Sequence, residues 1–218
     1  MLSSMPHLLL MSNTMKTDHR WQLMALLLIG SVVVGLAFGE SKTSSAAAPP
    51  EENGNRSSEE PFDKMMTVLT HKRCVNCHPS DSYPRQGEDS HLHNFGVQRG
   101  ADNHGVVALR CQTCHQRENN ELSGVPGAPE WSLAPIQMAW QGLSRTEIAR
   151  SILDPKINGG RTLDELVRHL TEHELVLWAW EPGVDANGNP RETPPVPKDE
   201  YIAAVKAWAA AGGPIPAQ

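Results

Sequence analysis

Cysteine occurs only four times in this 218-residue chain, and all four fall in two copies of one pattern, Cys74-Val75-Asn76-Cys77-His78 and Cys111-Gln112-Thr113-Cys114-His115. Cysteines three apart share one face of a helical turn, so both thiols can reach neighbouring points on one flat body. The histidine that follows stands beside that body as an axial base. These are the needs of covalent haem attachment, with two thioethers to the vinyl groups and an imidazole on iron. The reading makes Cys74, Cys77, Cys111 and Cys114 the anchors of two c-type haems, and His78 and His115 their proximal ligands.

Three other uses of the cysteines compete with haem. A structural zinc site also takes Cys-x-x-Cys pairs, but residues 79–110 separate the two motifs, more than a zinc ribbon usually spans, and both histidines would be coincidental. Disulfides suit an oxidising compartment. A thioredoxin-like redox pair needs a strand framework, and no alternating strand pattern is evident.

The other axial positions are open. Beyond the N-terminal segment, the methionines are Met65, Met66 and Met138, against six histidines outside the motifs: His71, His91, His93, His104, His169 and His173. Supply favours histidine, and two axial histidines generally set a lower potential than a histidine and a methionine. His91, His93 and His104 lie in the polar loop between the motifs. His169 and His173 are four apart on an expected helix, and His169 lies nearer its apolar stripe. Met138, in Leu133-Ala134-Pro135-Ile136-Gln137-Met138-Ala139-Trp140, is an alternate, although methionine more often fills a core. Trp131, Trp140, Trp178 and Trp180 suit a haem edge or plain packing. His173-Glu174 does not begin a zinc-protease motif, because Leu177 stands where the second histidine belongs.

The chain divides into three parts. Lys16, His19 and Arg20 precede an apolar run from Leu23 to Phe38, with Ala37 and Gly39 in place for cleavage after Gly39. Residues 1–39 therefore read as a signal peptide or, if retained, as a membrane anchor over 21–39. Met15, directly before Lys16, is a candidate true start. Residues 40–60 are polar, Ala- and Pro-rich, and read as a flexible linker. Residues 61–218 form the domain. Phe62, Met65, Met66 and Leu69 predict a short helix before the first motif. Capping boxes at Ser144/Glu147 and Thr162/Glu165 start two more helices, the second continuing toward Trp178. A last helix spans about Lys198 to Ala211, stopped by Gly212-Gly213-Pro214. The fold class expected is mostly α: a loop-rich dihaem cytochrome c domain with few helices and little or no sheet. Seventeen Gly, seventeen Pro and 5% aromatics suit a small core completed by a buried cofactor.

With its two motifs, the chain resembles dihaem c-type cytochromes. The runs HKRCVNCHPSDSYPRQGEDSHLHNFGVQRG, LRCQTCHQ, LAPIQMAWQGLS, NGGRTLDELVRHL and WAWEPG are similar to small bacterial haem proteins sometimes labelled isoquinoline 1-oxidoreductase subunits. The similarity spans nearly all of residues 61–213. It implies an electron-accepting accessory role, and it draws attention to His93 and His169 as distal ligands. That label implies a molybdenum hydroxylase as partner, but nothing here suggests a molybdopterin site.

The function expected is extracytoplasmic electron transfer, in the periplasm or tethered to the inner membrane, to or from a redox partner protein. The net charge of −6 suits a partner with a basic docking patch. The same charge, with scattered lysines and arginines, argues against nucleic acid. Catalysis is the rival: a dihaem peroxidase or other small-molecule redox enzyme needs one open axial position. A haem-based sensor is a third reading.

Overall fold

The computed structural model describes residues 53–216, with side chains from residue 60. The expected signal peptide or anchor, with Met15 and the 21–39 run, lies outside the described residues, as does the linker up to residue 52. Among the described residues no helix is long and apolar enough to cross a membrane.

Helix carries the core. α1 (Asn53–Leu69) and α7 (Lys198–Ala210) pack along each other, and α5 (Leu163–Glu172) packs on α7. The spacing of Phe62, Met65, Met66 and Leu69 puts them on one stripe, and all four are buried with Val68 against Tyr201, Val205 and Trp208 of α7. α4 (Arg145–Leu153) adds Ile148 and Ile152. Both capping boxes form as expected: the Ser144 and Thr162 hydroxyls accept from the Glu147 and Glu165 amides, and each glutamate accepts from its cap residue's N–H. α7 ends at Ala210, with Gly212 and Gly213 in left-handed conformation beyond it.

Two details depart from the expectations. α1 starts at Asn53, so residues 53–60, expected as linker, are helical with Pro61 inside the helix. The helix begun at Thr162 does not run unbroken to Trp178. His173 is extended (φ −72°, ψ 121°) and separates α5 from the one-turn α6 (Glu174–Leu177), which passes into a 3-10 turn at Trp178–Trp180.

Sheet is as sparse as expected, confined to two antiparallel hairpins with two-residue strands. β1 (Arg85–Gln86) pairs with β2 (His91–Leu92), and β3 (Gly105–Val106) pairs with β4 (Leu109–Arg110). Strands this short hold no alternation to read. They matter by position, because β2 leads directly into His93 and β4 into the second motif. Gly105 is obligatory here: its φ is +88°, and a Cβ would lie 2.3 Å from the Leu109 carbonyl oxygen. The outcome is a helix-rich, loop-rich fold with two minimal sheets.

Candidate functional site

The first motif begins in a single helical turn, α2 (Lys72–Val75), capped by His71, whose Nδ1 accepts from the Arg73 amide at 3.3 Å. The Cys77 and His78 amides continue the turn onto the Cys74 and Val75 carbonyls. That turn carries Cys74, Cys77 and His78 into one wall of a cavity of about 270 Å³. Leu69, Leu166 and Leu170 make it apolar, and His169 faces it from α5. Burial pushes the Cys74 and Cys77 thiols up to about 12 and about 11, and pulls His78 and His169 down to about 4. The cavity therefore favours uncharged thiols and neutral imidazoles.

His78 is oriented from outside the motif. Its Nδ1–H donates to the Met138 carbonyl at 2.6 Å, and the Trp140 ring stacks on it at 3.5 Å and 10°. The proton is thereby held at Nδ1, which leaves the Nε2 lone pair free to bind a metal. Two polar atoms on residues lining the cavity, Trp140 Nε1 and His173 Nδ1, are buried without a partner. An apolar cavity with stray polar atoms fits an occupant with an apolar body and a polar fringe.

The second motif repeats the arrangement. α3 (Cys111–Cys114) follows β4, with the Cys111 amide bonded to the His104 carbonyl at 2.9 Å. The Nδ1–H of His115 donates to the Pro126 carbonyl at 2.7 Å, and Trp131 stacks on its ring at 4.5 Å and 5°. Next to Pro126, Gly127 lets the loop close in: a Cβ there would lie 2.1 Å from the Glu118 carbonyl oxygen. The ring of His93 stands edge-on 5.9 Å from that of His115, with its own Nδ1–H donated to the Asn94 carbonyl at 2.8 Å. This site is more open than the first, and Cys114 is exposed. The two are neighbours: Trp131 meets Trp178 edge-on at 4.9 Å, and Trp178 lines the first cavity.

The remaining candidates separate cleanly. His71 spends both nitrogens, one as the helix cap and the other 3.2 Å from Glu192. His91 is exposed and bonded to Asp89 at 2.6 Å. Met138 is buried and lends its carbonyl to His78, on the proximal side of that ring. His104 and His173 line the first cavity near its edge, His104 with Nδ1–H on the Asp102 carbonyl at 2.7 Å and His173 with Nε2 3.8 Å from Glu130. Sequence reasoning named the tryptophans only loosely and missed the two orienting carbonyls. A carbonyl is common to every residue and leaves no mark in a sequence.

None of the four cysteines is joined to another in a disulfide. Among the described residues no three His, Cys, Asp or Glu side chains converge as a chelating group. No protein family, curated protein or solved structure matches the chain.

Proposed function

We propose that the chain is an extracytoplasmic electron-transfer protein carrying two covalently attached c-type haems. One observation carries the reading. Each Cys-x-x-Cys-His histidine donates Nδ1–H to a remote backbone carbonyl, lies parallel to a tryptophan, and turns a free Nε2 away from that bond. A bare metal ion would need about four protein donors at one point. A haem iron takes four from the porphyrin and asks for one or two from the chain.

Cys74 and Cys77 would hold the first haem, with His78 proximal and His169 distal; both histidines line the same cavity. Cys111 and Cys114 would hold the second, with His115 proximal and His93 distal. When bound, each group supplies a one-electron iron couple. The chain fixes the axial imidazoles, and burial favours the neutral form of His78, His169 and His115. The Trp131–Trp178 contact brings the two sites together, which suits exchange between them.

The redox partner is a protein with a basic docking patch, because the chain's −6 charge becomes more negative with haem carboxylates. Secretion follows from attachment to exported thiols and from the apolar run of residues 23–38.

The test is expression with export and a haem-attachment system, followed by intact mass and the alkaline pyridine spectrum. Two haems per chain are expected, and one in the Cys74→Ser/Cys77→Ser or Cys111→Ser/Cys114→Ser variant. A folded chain that carries stoichiometric zinc and no haem would overturn the proposal.

A further inference from the structure

Two arginines are each held by several backbone carbonyls, where the guanidinium of Arg161, which lines the first cavity, donates to the Asn158 carbonyl alone. Arg99 is buried, at 6% exposure, and its guanidinium donates to the Ala134 carbonyl, to the Asp81 and Pro79 carbonyls at 3.1 and 3.3 Å, and to Asn103 Oδ1 at 3.3 Å. Arg191 is half-buried and donates to the carbonyls of Pro182, at 2.8 Å, Val184 and Gly124. Neither makes an ion pair with a carboxylate among the described residues. Buried Arg73, by contrast, is paired with Glu88. Carboxylates stand near but not in contact, Asp81 by Arg99 and Asp185 and Glu88 by Arg191; a buried charge with no carboxylate in contact is costly, and a guanidinium cannot escape by losing its proton.

Their placement is parallel. Arg99 binds the carbonyl of Pro79, the residue after His78, and that of Ala134, in the strand of chain that runs on to Met138, whose own carbonyl orients His78. The Ala134 amide is in turn bonded to the Cys77 carbonyl at 3.0 Å. Arg191 binds the carbonyl of Gly124, two residues before Pro126, whose carbonyl orients His115. Each arginine thus clamps the segment that aims one proximal histidine.

We infer that Arg99 and Arg191 are fixed cations, one for each haem, that raise the reduction potentials of the two irons. The inference rests on the haem reading above. Reduction adds one electron and removes one positive charge from the iron, with no proton needed at either arginine. A fixed positive charge in a medium of low dielectric opposes the more positive ferric form and favours the ferrous form. The arrangement counters the low potential that two axial histidines alone would set. Arg99, the more deeply buried, is shielded less by solvent and salt.

The experiment is spectroelectrochemical titration of the haem-loaded full chain, each midpoint being assigned by comparison with the variants that lack one haem. Arg99→Gln is expected to lower the first midpoint more than the second, and Arg191→Gln the reverse. Arg99→Lys and Arg191→Lys, which keep the charge and lose the fork, should retain most of the wild-type potential. Unchanged midpoints in the glutamine variants, or lysine variants that fall as far, would overturn the inference.

Should the glutamine variants not accumulate, Asp81→Asn decides. The Asp81 carboxylate is bonded to Arg85 at 2.8 Å, and its field reaches Arg99. Its removal should raise the first midpoint alone, and no shift or a fall would count against Arg99. Wild-type protein without covalent haem would refute the haem reading itself, whereas haem present with potentials indifferent to these charges refutes only the inference.

Discussion

On the proposed haem reading, replacing His93 with alanine should open the second haem and leave the first untouched. Two imidazoles on one metal, with bonds of about 2.0–2.1 Å and about 1.2 Å from nitrogen to ring centre, place their centroids about 6.4 Å apart. His93 and His115 stand 5.9 Å apart, so a metal between them asks for an outward shift of only about 0.5 Å. Both rings already commit Nδ1–H to a backbone carbonyl, which leaves Nε2 as the free donor on each. The assay is carbon monoxide titration of the reduced protein, with paramagnetic resonance of the oxidised form. Wild type should bind close to zero equivalents, and His93→Ala about one per chain, with half the low-spin signal lost and restored by added imidazole. His91→Ala, two residues away but tied to Asp89 on the surface, should behave as wild type. Two intact low-spin signals in His93→Ala would refute the geometric argument. Rapid binding of one equivalent by wild type would instead favour the enzyme reading, with its open axial position.

Trp208 is 1% exposed and donates to the Pro214 carbonyl at 2.8 Å, so Trp208→Ala should cost about 3–5 kcal/mol in urea unfolding. Ser144→Ala and Thr162→Ala each remove a complete capping box, with an expected loss of about 1 kcal/mol apiece. Glu147 and Glu165 are held below the usual carboxylate range, Glu147 chiefly by the Ser144 hydroxyl and Glu165 chiefly by the Thr162 amide. A depressed folded pKa means that this stability is present above about pH 4.3 and is lost as pH falls through the lower folded values. The wild-type advantage over both cap variants should therefore shrink in acid. Phe95 is 86% exposed with φ 65° and ψ 10°. Phe95→Gly should then be more stable than Phe95→Ala by about 1 kcal/mol, since only the alanine retains the left-handed penalty, and equal stabilities in thermal unfolding would contradict that conformation.

The sequence by itself determined what is local. The cysteine and histidine spacing, both capping boxes, the buried stripe from Phe62 to Leu69 and the glycine stop after α7 each depend on residues within about one or two helical turns. Such features were legible in the sequence. The break at His173 and the two hairpins were not, because one extended residue or a two-residue strand has no period. Only the tertiary structure decided how each Cys-x-x-Cys-His motif is aimed. The carbonyl that orients His78 lies 60 residues away at Met138, and the arginines near the two motifs find their partners across loops. Those contacts run through space and through backbone atoms that all residues share, so no pattern along the chain can encode them.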